Sequence, residues 1–137
     1  SSAASDVYKR QIYNRTYPRA KVLAEEFECH AQPLDAVRNL RAKIVVNTTS
    51  IGMHPNVDET PLPADVLRPD MIVFDNVYNP METRLLREAA EVGCRTVGGV
   101  DMFVNQAVAQ FEAWTGRPAP RDLMRRVVIE RLSATPP

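Results

Sequence analysis

The chain has 137 residues with 17 basic and 17 acidic side chains, so it carries no net charge and no electrostatic footprint for nucleic acid or an acidic membrane. With 45% hydrophobic and 25% charged residues it has the makeup of one ordinary domain and is too short for a self-standing two-domain enzyme. Its longest apolar runs, residues 44–46 and 71–74, cannot cross a bilayer, and Cys29 and Cys94 stand without a CxxC pair or a histidine cluster. They read as buried, reduced thiols of a cytoplasmic protein, not as a disulfide framework or a zinc site.

Residues 1–11, SSAASDVYKRQ, show no periodicity and no apolar core of a signal peptide, and they read as a disordered or spurious extension. From there β-rich runs alternate with stretches of helical period, which predicts an α/β fold with a parallel sheet in one partial domain, residues 12–137. A strand is expected at 11–14 and a helix at 18–27, with Thr16 as a possible cap and Pro18 in the first turn. Residues 28–31 form a possible short strand and 34–40 a short helix. The consecutive Ile44, Val45 and Val46 predict a buried parallel strand at 43–47. A long loop rich in proline and glycine follows over 48–63, with at most one helical turn at 64–67. A second buried strand is expected at 71–75. Asn79, Pro80 and Glu82 suggest a capped helix from Pro80 to Val92, stopped by Gly93. A short strand at 95–97 precedes a helix at 101–115, in which Asp101 reads as the cap and Gly116 as the stop, and a last helix spans 122–132.

Glycine is informative by its placement, because all five glycines fall at position 52 or later and no G-x-G-x-x-G precedes the first strand. A dinucleotide-binding sheet builds its pyrophosphate turn at that point. The chain therefore reads as starting inside such a domain, short of a strand, a glycine-rich turn and a helix, roughly 20 to 30 residues.

Four segments could carry chemistry. After the first strand stands NRTYPR, where Asn14, Arg15, Thr16 and Arg19 cluster at a helix start. A carboxylate at this point holds the ribose of NAD, whereas an arginine meets the 2′-phosphate of NADP, so Arg15 with Arg19 points to NADP; a solvated arginine pair is the alternative. NTTSIGM follows a strand end and offers hydroxyls and free backbone amides to a cofactor, though polar strand-end loops are also common without one. DNVYNP places the Tyr78 hydroxyl at the next strand end, where Asn79 and Pro80 begin a helix, with a tyrosine packed on its own loop as the alternative. In GGVDMFVNQAVAQFEAWTG, Phe103, Ala107, Phe111 and Trp114 form the expected core stripe of a helix. Met102 and Gln106 make a pair on the adjacent face, suited to a cleft wall or to an exposed amide, and the Gly98–Gly99 turn allows close approach of a flat ring. His30 and His54 are set aside as general bases.

The four motifs, NRTxxR, NTTSIGM, DxVYNPxxTxLLxxAxxxG and GGxxMFxxQAxxxFxxWTG, resemble in order and spacing the C-terminal, NADP-binding half of the shikimate dehydrogenase family, over residues 12–120. The resemblance implies a truncated Rossmann-like, doubly wound parallel sheet with C-terminal helices, and a parent that reduces 3-dehydroshikimate to shikimate with NADPH in aromatic amino acid biosynthesis. It implies that Asn14, Arg15, Thr16 and Arg19 clamp the 2′-phosphate and that Thr49 and Ser50 contact the cofactor. Gly99 and Met102 would line the nicotinamide pocket, and Tyr78 and Gln106 would bind the substrate. Asn76 falls where the family usually has an apolar residue beside the nicotinamide. The family's catalytic Lys/Asp pair belongs to an N-terminal domain with no counterpart here, so no catalytic residue and no metal ligand is expected in the chain, and the chain alone is expected to be inactive. DMFVNQA and WTGRPAP also resemble the dehydrogenase part of fusions with 3-dehydroquinate dehydratase. A quinate/shikimate dehydrogenase fragment and a non-catalytic nucleotide-binding domain are the rival readings.

Overall fold

The computed structural model describes residues 10–134, so the expectation for residues 1–9 lies outside the described residues. The rest of the expected extension is ordered. Gln11 opens the first strand, and the Arg10 carbonyl accepts from the His30 N–H while the Arg10 guanidinium donates to the Phe27 carbonyl.

The fold is α/β with parallel strands throughout, as expected, but its strands form two sheets in two compact units, one ending at Arg41 and one starting at Ala42. Among the described residues no backbone ladder joins the two sheets. In the first unit, β1 (Gln11–Asn14) pairs with β2 (His30–Pro33), and α1 (Tyr17–Glu26) connects them. The small Ala20 and Ala24 are the buried face of α1. Thr16 is the cap residue of α1, but its hydroxyl makes no capping bond. A 3-10 turn at Leu34–Asn39 closes the unit where a short helix was expected.

In the second unit, β3 (Ile44–Asn47), β4 (Ile72–Asp75) and β5 (Arg95–Val97) lie in the order β3-β4-β5. The register sets Asn47 beside Asp75, which brings the carboxyl ends of β3 and β4 together. One 3-10 turn, Ala64–Val66, interrupts the long loop. α2 (Arg84–Val92) buries Leu85, Leu86 and Ala89, and with Met71 and Val73 they form the core beside the sheet. Each large apolar side chain buried there contributes about 1.5–3 kcal/mol. α3 (Gly99–Thr115) packs on α4 (Arg121–Ala134).

Five expectations are corrected. The buried strand β3 is an edge strand, and one of its faces is open, with Ile44 63% and Val46 50% exposed. α2 begins at Arg84 and not at Pro80, because Thr83 is its cap: the Thr83 hydroxyl accepts from the Leu86 backbone N–H. Gly98, not Asp101, caps α3, while Asp101 pairs with Arg125 at 3.3 Å. The core stripe of α3 is Val100, Val104 and Val108, against which Met124, Val128, Ile129 and Leu132 pack, and Trp114 is 80% exposed. Cys29 and Cys94 are free thiols but only half-buried. Gly93 and Gly116 end α2 and α3 in left-handed conformation, as the pattern predicts. Among the described residues no helix is long and apolar enough to cross a membrane, and no cluster of His, Cys, Asp or Glu could hold a metal ion.

Candidate functional site

In the first unit the chain leaves β1 through a tight turn. Asn14 Oδ1 accepts from the Thr16 backbone N–H at 2.7 Å, which bends the backbone into α1. Arg15 and Arg19 are both exposed, and neither guanidinium pairs with a group among the described residues. Two uncommitted cations thus flank a helix start, an arrangement suited to an anion, and the cations carry it, because Pro18 has no N–H and the Arg19 N–H donates to the Thr16 carbonyl at 3.0 Å. Beside it, burial pushes the Tyr13 phenol above its usual range, and its hydroxyl donates to Gln11 Oε1 at 2.9 Å.

In the second unit a cleft of about 370 Å³ opens at the carboxyl ends of β3 and β4. Thr48, Thr49 and Ser50 form one wall, and Asn76, Val77 and Tyr78 the other. Clefts of roughly 300–1,000 Å³ suit small ligands, and strand carboxyl ends are where parallel sheets bind them. Met53 and His54 also line it, so the structure adds a histidine that sequence reasoning set aside. Its backbone N–H donates to the Asn79 carbonyl, which ties the two loops at the cleft together. The signal for His54 was there, since it follows NTTSIGM closely, but a loop histidine has no periodicity to give away which side it takes.

Each wall is held from below. Thr49 donates both its backbone N–H, at 3.0 Å, and its hydroxyl, at 2.7 Å, to Asn47 Oδ1. The Val77 N–H donates to Asp75 Oδ1 at 3.0 Å, which fixes the residue just before Tyr78. The Tyr78 ring stacks on Phe103 with centroids 4.9 Å apart, so an aromatic expected in the helix core serves the cleft wall. Gly99 meets the same segment: a Cβ there would lie 2.5 Å from the carbonyl oxygens of Asn76 and Val77. Asn76 Oδ1 is buried and has no hydrogen-bond partner among the described residues.

The structure therefore brings Thr49, Ser50, Asn76 and Tyr78 into one cleft and packs Gly99 against it. Met102 and Gln106 do not line it; both are exposed on α3, one helical turn apart.

Known proteins share this fold. The model of the shikimate 5′-dehydrogenase C-terminal domain matches residues 99–129. The NADP(+)-dependent shikimate dehydrogenase of Methanosarcina barkeri is 45% identical over 94% of this chain and 49% of its own length. Along nearly its whole length the chain is similar to about half of a shikimate dehydrogenase. Solved proteins of that kind share its fold. The shikimate 5-dehydrogenase of Thermus thermophilus, in complex with NADP(H) and shikimate, superposes with a TM-score of 0.80 and 33% identity over 94% of this chain and 48% of that one. The quinate dehydrogenase of Corynebacterium glutamicum, in complex with NAD, superposes with a TM-score of 0.83 and 31% identity over 93% and 48%. The chain spans about half the length of these family members.

Proposed function

We propose that this chain is the nucleotide-binding half of a cytoplasmic, NADP-dependent shikimate dehydrogenase, which interconverts 3-dehydroshikimate and shikimate. The observation that carries the reading is the cleft, which gathers Thr49, Ser50, Asn76 and Tyr78 at adjacent strand ends of a chain similar to shikimate dehydrogenases. The residues fit a nicotinamide nucleotide. The buried, unpartnered Asn76 Oδ1 needs a donor, which a carboxamide has, and glycine at 99 keeps the helix start tight against the Asn76–Val77 backbone. When bound, the nicotinamide supplies the chemistry, exchanging a hydride with the carbinol carbon of the substrate.

This chain's own residues bind and orient. Arg15 and Arg19, with Asn14 and Thr16, hold the 2′-phosphate at the start of α1. Thr49 and Ser50 would contact the cofactor in the cleft that Asn76 also lines, and Gly99, with Met102 exposed outside the cleft's own lining, would border the nicotinamide. The Tyr78 hydroxyl and the Gln106 amide take the hydroxyls of the substrate, with Tyr78 held rigid by Phe103. The proton that accompanies the hydride is handled by a Lys/Asp pair on a domain that precedes this one.

The test is an assay of the full-length protein for NADP-dependent oxidation of shikimate, followed at the absorbance of the reduced coenzyme. Turnover is expected there and none from the 137-residue chain. Turnover by the short chain, or its absence from the full-length protein, contradicts the proposal. A quinate dehydrogenase is the second reading, favoured by the likeness to the Corynebacterium enzyme. Quinate and NAD in the same assay separate the two, since the proposal expects a higher kcat/KM for shikimate with NADP.

Tyr78→Phe gives a further prediction. It removes one hydrogen bond to the substrate and leaves the ring on Phe103, so KM for shikimate should rise about tenfold, the equivalent of about 1.4 kcal/mol. An unchanged KM in Tyr78→Phe and Gln106→Ala alike would instead favour a nucleotide-binding domain that has no catalytic role.

A further inference from the structure

We propose that Asp75, through Asn47 and Thr83, is a positioning residue that sets both walls of the cleft; its kinetic consequence rests on the function proposed above.

Asp75 is fully buried at the carboxyl end of β4. Donors from three separate segments converge on its carboxyl group. Asn47 Nδ2, at the end of β3, reaches Oδ1 at 3.0 Å, and the Val77 N–H reaches the same oxygen at 3.0 Å. The Thr83 hydroxyl, at the start of α2, reaches Oδ2 at 2.6 Å. From Asn47 the network runs onward: its Oδ1 receives the N–H and hydroxyl of Thr49, its Nδ2 also reaches the Ile51 carbonyl at 3.3 Å, and Thr49 Oγ1 accepts from the Ile51 N–H at 3.2 Å. One carboxyl group therefore orients the Thr49 turn on one side and the Tyr78 segment on the other.

Capping α2 does not explain this arrangement. A cap needs only a hydroxyl, which Thr83 provides to Leu86 by itself, whereas burying a carboxyl group is costly unless its bonds are all made. Two of the three donors to Asp75 lie outside α2, and both belong to segments that reach the cleft. The network is satisfied at each of these atoms, which is the condition under which buried polar groups select one conformation.

The test has two arms. In the 137-residue chain, amide hydrogen exchange needs no substrate. Asp75→Asn should speed exchange at Thr49, Ile51 and Val77 by about tenfold or more while the β4–β5 ladder keeps its protection. Asn47→Ala, the variant to use if Asp75→Asn does not fold, should do so at Thr49 and Ile51 and spare Val77. In the full-length protein at low temperature, with rates normalised to the folded fraction, Asn47→Ala should raise the NADP dissociation constant about tenfold, the scale of a lost buried hydrogen bond. Thr83→Ser, which keeps the hydroxyl, should restore wild-type constants where Thr83→Val raises KM. Exchange at Thr49 and Ile51 that stays at the wild-type rate in Asn47→Ala overturns the network, whatever the enzyme does. Faster exchange with unchanged kinetic constants overturns its positioning role. A full-length wild-type protein without shikimate turnover overturns the functional reading, and the exchange arm still decides the network.

Discussion

Alanine at Gly99 is expected to destabilise the second unit by about 3 kcal/mol, whereas alanine at the adjacent Gly98 leaves stability within about 0.5 kcal/mol of wild type. The two glycines look alike in sequence and differ in what a methyl group would meet. At Gly99 the Cβ would stand 2.5 Å from two backbone carbonyl oxygens and 2.7 Å from the Val77 carbonyl carbon. Backbone in the strand exit cannot swing aside as the tip of a side chain can, so α3 must move as a body. The cost is at the upper end of that for overpacking a tight core, and the smaller unfolded-state gain of replacing glycine, about 0.4–1 kcal/mol, does not offset it. At Gly98 the nearest atoms are the Leu86 Cδ1 at 3.7 Å and the Met81 carbonyl oxygen at 3.8 Å, ordinary contacts, and the backbone is extended. There the entropic gain and the weaker capping by alanine roughly cancel. Thermal melts of the two variants should therefore separate by about 10 °C. The displacement of α3 would also pull Phe103 off Tyr78, so Gly99→Ala should lose shikimate affinity in the full-length protein even below its melting range. Equal melting temperatures for the two variants would show that the helix start accommodates a side chain and that the close approach is not required.

The strand ends were legible because parallel strands write themselves as short apolar runs and ligands gather at their carboxyl ends. That rule pointed to the NTTSIGM segment and to Tyr78, both at the cleft, while Thr49, Ser50 and Asn76 were singled out by the family resemblance. What it could not show was which neighbour wins when two helical stripes compete. On α3 the aromatic stripe outweighs the valine stripe in hydrophobicity, yet the valines face α4, and Phe103 is left to stack on Tyr78. A similar limit applies to β3, where three consecutive apolar residues imply two covered faces but the strand lies at the sheet edge. The Asp75 network was invisible for another reason. Asn47 and Asp75 are joined by register across β3 and β4, and Thr83 takes over a cap that Asn79 and Pro80 seemed to supply. Polar pairs of this kind follow no period, so only the pairing of strands reveals them.

Arg15→Asp is expected to lower the preference of the full-length protein for NADP over NAD by about a hundredfold, measured as the ratio of the two dissociation constants. Arg15 is the exposed middle residue of the Asn14–Thr16 turn, which its side chain does not hold, and its guanidinium has no partner among the described residues, so the substitution should leave the turn itself intact. What is lost is charge-assisted bonding to a phosphate dianion, about 1.5–3 kcal/mol, to which the new carboxylate adds repulsion. NAD has no phosphate there, and an aspartate can accept from its ribose hydroxyl, so NAD binding should hold or improve. Arg19→Ala should act in the same direction but less, because it removes one cation without introducing an anion. Salt offers an independent check, since exposed charges are screened within about 8 Å at physiological ionic strength. Raising the salt should erode the wild-type preference and leave that of Arg15→Asp nearly flat. If the coenzyme ratio is the same before and after the substitution, the phosphate is held elsewhere and the turn after β1 is only a helix start.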